Sequence, residues 1–191
     1  MAASETPGYV ELIEAALDPG CAVTLALAGV IALAPQRPAP YDVATAGLDA
    51  RALAALQRRY FPDLAWPLHA SDARWETGQA IDEFDDLLAL LVEHRTFPGE
   101  ESHWLAHAVA TACMGHNHLW QDLGLPSRRE LSWLMRHHFR ALAERNSGDM
   151  RWKKFLYREL CERAEVRLCK APSCSECSDV AACFPDGSRR P

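Results

Sequence analysis

The apolar and polar positions of this chain alternate with the period of helices almost throughout. Residues 9–17 read as a short helix. Asp18-Pro19 then suits the N-cap and first turn of a largely apolar helix over residues 21–34, which Pro35, Pro38 and Pro40 end. Asp49 caps a helix to about residue 60, with Leu53, Leu56 and Tyr60 at helical spacing. Residues 62–76 are irregular and hold Trp66 and Trp75. From 78 to 95 the pattern gives an apolar face of Ile81, Phe84, Leu88, Leu91 and Val92. The opposite face carries Asp82, Glu83, Asp85, Asp86 and Glu93 and reads as solvated. Another helix covers 100–114, and Gly124 suits a helix C′ position. Ser127 and Glu130 form a capping box. It opens a helix with an apolar stripe of Leu131, Leu134, Met135, His138, Phe139, Leu142 and Ala143, which Asn146-Ser147-Gly148 closes. A last helix over 150–164 turns Trp152, Phe155, Leu156, Leu160 and Cys161 inward. No alternating strand pattern competes. The expected fold is therefore all-α, a bundle of about six or seven helices. Residues 1–8 are expected to be disordered, 9–165 to be the helical domain, and 166–191 a cysteine-rich loop and tail.

Composition agrees. Of 191 residues 49% are hydrophobic, enough for a sizeable core. Charge changes the picture more. The net −6 is unevenly spread: residues 1–127 carry 6 basic and 17 acidic side chains, and residues 128–170 carry 12 basic and 6 acidic. The positive zone directly precedes the cysteines and points to an anionic ligand or partner. The apolar run 21–34 is too short to span a bilayer, and Met1-Ala-Ala-Ser-Glu5 has no basic n-region. A cytoplasmic, reducing compartment and no membrane association are the expectation.

Four of the seven cysteines fall in one stretch, Cys169, Cys174, Cys177 and Cys183, spaced C-x4-C-x2-C-x5-C. Pro172, Ser173, Ser175 and Ser178 punctuate it, so it reads as a loop. A loop can wrap its thiolates around one centre, and thiolates select zinc, copper(I) or iron–sulfur clusters over hard cations. Zinc and iron–sulfur clusters both accept four cysteines, so the spacing leaves the metal open. A disulfide knot fits poorly, because the chain is not a small secreted domain. Cys21, Cys113 and Cys161 look like core residues.

Other candidates are weaker. His103 and His107 lie four apart on one helical face, as in metal-binding H-E-x-x-H sites, but the glutamate is absent and packing explains them as well. His116 and His118 fall in a polar corner that they could simply hold together. Arg151, Lys154 and Arg158 make a basic stripe with Lys153 beside it, either solvated or serving an anion. No glycine-rich phosphate loop or nucleophile motif appears, so an enzyme is not indicated.

Several stretches together resemble one family. NHLWQDLGL (117–125), R-x-E-L-S-x-L-M (128–135), M-R-W-K-K-F-L-Y-R-x-L-C (150–161) and the cysteine run ending in Phe184 are similar to the NifQ family of nitrogen-fixation proteins. Weaker similarity reaches RRYFPDL (58–64) and EFDDLLALL (83–91), so the likeness covers roughly residues 48–184. It implies a non-enzymatic metal carrier whose iron–sulfur cluster takes up molybdenum and donates it for the iron–molybdenum cofactor of nitrogenase. It implies the cofactor-assembly scaffold and the nitrogenase iron protein as partners, molybdate as the source, and no nucleic acid. On that reading Cys169, Cys174, Cys177 and Cys183 ligate the cluster. His118 supplies a further donor near the cysteine loop, oriented by Asp122 if the two share a helical face. Arg151, Lys153, Lys154 and Arg158 attract the oxyanion or the partner. A zinc-stapled interaction or nucleic-acid-binding protein is the competing reading. The negative overall charge and the absence of a paired C-x2-C…C-x2-C argue against it.

Overall fold

The computed structural model describes residues 6–69 and 82–163. The cysteine loop from Cys169 to Cys183 lies outside these residues, as do the expected irregular stretch after residue 69 and the first five positions. Nine α-helices are present among the described residues. They are α1 (Tyr9–Glu14), α2 (Ala22–Ala32), α3 (Ala50–Tyr60), α4 (Asp82–Glu93), α5 (Glu100–Cys113), α6 (Leu119–Asp122), α7 (Arg128–His138), α8 (Arg140–Arg145) and α9 (Trp152–Arg163). No strand occurs among the described residues, so the all-α expectation holds. No helix among them is long and apolar enough to cross a membrane.

Two helices form the centre. From Val23 to Ile31, α2 is buried at every position but Leu25, and α5 is buried from Trp104 to Cys113. A helix that is apolar all round must be enclosed by others. Accordingly α2 packs on α1, α5 and α7, while α5 also meets α3, α4 and α6. Against this pair the amphipathic helices lay single stripes. Leu53, Leu56 and Tyr60 come from α3, Phe84, Leu87, Leu90 and Leu91 from α4, and Leu131, Leu134 and Met135 from α7. α9 closes the bundle over α4 with Trp152, Phe155, Leu156 and Tyr157 buried.

Local signals placed several ends where the sequence reading put them. The Asp49 carboxylate accepts from Ala52 N–H at 2.7 Å, and Ser127 Oγ accepts from Arg129 N–H at 3.1 Å. Two boundaries moved. Asp18 does not cap α2: its carboxylate accepts from Gly20 N–H at 3.2 Å, making a turn, and Cys21 becomes the N-cap. The long helix expected from Ser127 onward is two, α7 and α8, broken at the fully buried Phe139 (φ −136°, ψ 52°). The loop after α4 makes the break possible. Thr96 N–H donates to His138 O at 2.8 Å, and Thr96 Oγ1 accepts from Arg140 N–H at 2.9 Å. Backbone groups freed from the helix thus find partners there.

α2 meets the turn that ends α6 at a pair of glycines, Gly29 and Gly124. Gly124 has φ +63°, and Leu125 N–H donates to Trp120 O while Gly124 N–H donates to Gln121 O, both at 2.9 Å, a Schellman ending of α6. A Cβ on Gly29 would lie 2.6 Å from Gly124 Cα and closer still to Leu123 O. Backbone cannot retreat as a flexible side chain can. Gly29→Ala is therefore expected to destabilise the fold by about 1–3 kcal/mol, as overpacking does. Urea unfolding monitored by circular dichroism checks this, and an unchanged midpoint would show the contact to be loose.

Candidate functional site

The corner between α5 and α6 is built on one carboxylate. Asp122, at the end of α6, is 6% exposed. Its Oδ2 accepts from Asn117 N–H at 3.0 Å, and its Oδ1 accepts from Asn117 Nδ2 at 3.0 Å. Lys153 Nζ on α9 lies 2.5 Å from the same Oδ2 and donates to Gly115 O at 2.9 Å. One buried acid thus holds the 115–117 backbone and ties it to the first turn of α9. Two of the stretches that carry the family resemblance, 117–125 and 150–161, meet here through Asp122 and Lys153. A second cation is close by. Arg37 is 7% exposed and donates to Val30 O, to Tyr41 O at 3.0 Å and to Val43 O at 3.1 Å. Burial lowers its guanidinium to about 10, and the Asp122 charge works the other way. Sequence reasoning had not singled out Arg37. An arginine just past the C-terminal end of an apolar helix, where carbonyls lack partners, was the available signal.

The network presents His118 without using its ring. His118 is the N-cap of α6 in extended conformation (φ −64°, ψ 147°), and its N–H donates to Gln121 Oε1 at 3.1 Å. Its side chain makes no capping hydrogen bond, and the residue is exposed, as are His116 and Asn117. Asp122 does not orient the imidazole: its carboxylate goes to Asn117 and Lys153, because His118 precedes the helix and does not share its face. The corner therefore offers exposed imidazoles on a braced loop.

The four basic residues of α9 part company. Lys153 is committed to Asp122 and Gly115. Arg158 pairs with Glu162 at 2.7 Å on the half-exposed helix surface. Arg151 sits half-buried at the residue before α9, and its carbonyl accepts from Phe155 N–H at 2.9 Å. Lys154 differs: its ammonium is buried and has no hydrogen-bond partner among the described residues. An enclosed cation in that state favours an anion beside it.

The other nucleophiles and ligands are accounted for by packing. His107 is 4% exposed, with Nδ1 2.9 Å from Ala46 O. A carbonyl only accepts, so Nδ1 carries the proton. Nε2 then receives the hydrogen bond from His103 Nε2 at 3.2 Å. Burial lowers the His103 pKa. Burial also pushes the Cys113 thiol up to about 12, which keeps it protonated and unsuited as a thiolate ligand. Among the described residues no group of three or more His, Cys, Asp or Glu side chains is arranged to hold a metal ion. Cys169, Cys174, Cys177 and Cys183, and with them the distance from the loop to His118, lie outside the described residues.

A family model described as NifQ matches residues 26–185, a span that includes all four loop cysteines. "Protein NifQ" of Azotobacter vinelandii is 43% identical over 148 residues, 72% of this chain and 76% of that protein. "Protein NifQ" of Rhodobacter capsulatus is 40% identical over 141 residues, 73% of this chain and 76% of that protein. "Protein NifQ" of Klebsiella pneumoniae is 49% identical over 82 residues, 42% and 48% of the two chains. No solved structure matches.

Proposed function

This chain belongs to the NifQ family, and on that premise we propose that it is a carrier that takes up molybdenum at an iron–sulfur centre and hands it on for the iron–molybdenum cofactor of nitrogenase. The observation that carries the reading is the C-x4-C-x2-C-x5-C run within the family match. Cys169, Cys174, Cys177 and Cys183 would hold the centre. Four soft thiolates on one short loop fit an iron–sulfur cluster chemically. The cluster, when bound, supplies the sulfide environment that retains molybdenum, which is the cargo.

The chain's own residues would handle charge and access. A cluster on four thiolates is anionic and molybdate is an oxyanion, so both call for cations. Lys154, with its enclosed and unpartnered ammonium, is the residue of the stripe best suited to an anion, with Arg151 and Arg158 flanking it on the same helical face. Lys153 would act at one remove, by holding the His118 corner to α9. The receiving proteins would be the cofactor-assembly scaffold and the nitrogenase iron protein.

Iron, labile sulfide and molybdenum analysis of protein purified without oxygen tests the proposal. The expected result is a brown protein with iron and sulfide that gains molybdenum on exposure to molybdate. A colourless protein with one zinc and no sulfide would replace it with the zinc-stapled reading. His118 gives a sharper check. His118→Ala is expected to retain iron and sulfide while molybdenum loading falls severalfold. Stability should move by about 0.5 kcal/mol or less, because the residue is exposed and its ring makes no hydrogen bond among the described residues. Normal molybdenum loading would remove His118 from the site.

A further inference from the structure

The described residues include six large hydrophobic side chains left exposed, and two of them converge on one histidine. Trp133 on α7 is 53% exposed, and Phe97 in the loop before α5 is 49% exposed. The His137 ring stacks on Trp133, with centroids 5.1 Å apart and planes 5° from parallel, and lies 5.4 Å from Phe97. The patch is thus continuous across two segments. It is also held firmly, because Thr96 beside Phe97 bonds both sides of the break between α7 and α8. Single exposed apolar residues are ordinary, but a joined aromatic patch marks a contact surface.

Its rim is basic. Arg129 lies one turn before Trp133, and its side chain is 91% exposed, with only a long 3.4 Å contact to Glu130. Arg136 and Arg140 are exposed and have no ion pair among the described residues. These charges stand out on a chain of net −6. Trp and Arg are the side chains that most often carry the energy of protein interfaces, and an open basic rim steers an acidic partner toward them. Nucleic acid fits less well, because it needs a longer track of cations and would be repelled by the acidic remainder.

We infer that the face formed by Phe97, Trp133 and His137, rimmed by Arg129, Arg136 and Arg140, is the docking surface for the protein that receives the metal, and that this partner presents acidic groups around an apolar contact. The inference rests on the carrier reading. The location also suits it: Trp152 Nε1 at the start of α9 donates to Ser132 Oγ at 3.1 Å, next to Trp133, so the helix bearing the patch braces the helix that anchors the His118 corner.

The test is binding of the molybdenum-loaded full chain to immobilised cofactor-assembly scaffold, with and without the nitrogenase iron protein, followed by biolayer interferometry at several salt concentrations. Wild type should bind, more weakly as salt rises. Trp133→Ala should weaken binding at least tenfold, and the pair Arg136→Glu/Arg140→Glu should both weaken it and flatten its salt dependence. Molybdenum content and circular dichroism of both variants should match wild type. Variants that bind as wild type overturn the surface. Absence of any wild-type binding with normal molybdenum content also overturns it and leaves the carrier reading standing, whereas absence of molybdenum from wild type overturns that reading itself. A dimer that Trp133→Ala converts to monomer in light scattering would make this face a contact between copies, against the inference.

Discussion

On the proposed carrier reading, Cys177→Ala is expected to cost the protein its iron–sulfur centre while leaving its helices in place. Removing even an outer partner of a metal ligand typically lowers metal affinity about 10–100-fold, and a direct ligand should matter at least as much. Iron and labile sulfide per chain should therefore fall tenfold or more. Of the three cysteines among the described residues, Cys21 and Cys161 are half-buried, and Cys113 is fully enclosed with its thiol pushed up to about 12, which makes it a poor substitute ligand. Helix content should stay near that of wild type, because the core from Leu12 to Tyr157 is assembled from side chains that precede the loop. Cys113→Ser provides the contrast, with iron and sulfide expected to be retained. If Cys177→Ala keeps its full iron and sulfide, the four-cysteine assignment is wrong, and with it the centre on which the proposed carrier depends.

What the sequence disclosed and what it hid divide by distance along the chain. Asp49, Ser127 and Gly124 act on backbone groups within a few residues of themselves, so their roles could be read directly. The apolar stripes of α3 and α7 could be read for the same reason, since helical spacing is a local property, whereas on α4 the buried face is turned toward Leu87 and Leu90 and leaves Leu88 and Val92 half-buried. The break at Phe139 could not be, because the groups that make it tolerable come from Thr96, more than 40 residues earlier. Asp122 was misplaced in a similar way. Its position four residues after His118 suggested a shared helical face, but His118 is an N-cap, and the true partner is Lys153, 31 residues on. Lys153 in turn looked like a member of a surface stripe. Only the packing of α9 against the α5–α6 corner turns it inward. The cysteine loop is the opposite case: residue type and spacing point to a soft-metal site but leave the metal open, and the loop lies outside the described residues.

The Asp122–Lys153 pair should prove to be the strongest single polar contact of the described fold. The two side chains are 8% and 17% exposed, so removing either strands its partner in a poorly solvated place. Breaking a buried pair from one side costs about 3–5 kcal/mol, and the remaining exposure of Lys153 points to the lower end, about 3 kcal/mol for Asp122→Leu. Lys153→Met should cost a comparable amount, because it leaves Asp122 with Asn117 as its direct hydrogen-bond donor. The double variant Asp122→Leu/Lys153→Met leaves neither stranded charge, and apolar replacements of a buried pair are often close to neutral. It should therefore recover most of the loss, with a coupling of about 2 kcal/mol or more in urea unfolding. Additive losses would show that the two charges do not act as a pair. The single variants separate structure from cargo binding. If Lys153 acts only by bracing the His118 corner through Asp122, Asp122→Leu and Lys153→Met should lower molybdenum loading alike. If Lys153→Met lowers it and a folded Asp122→Leu does not, Lys153 belongs with Lys154 at the anion and is more than a brace.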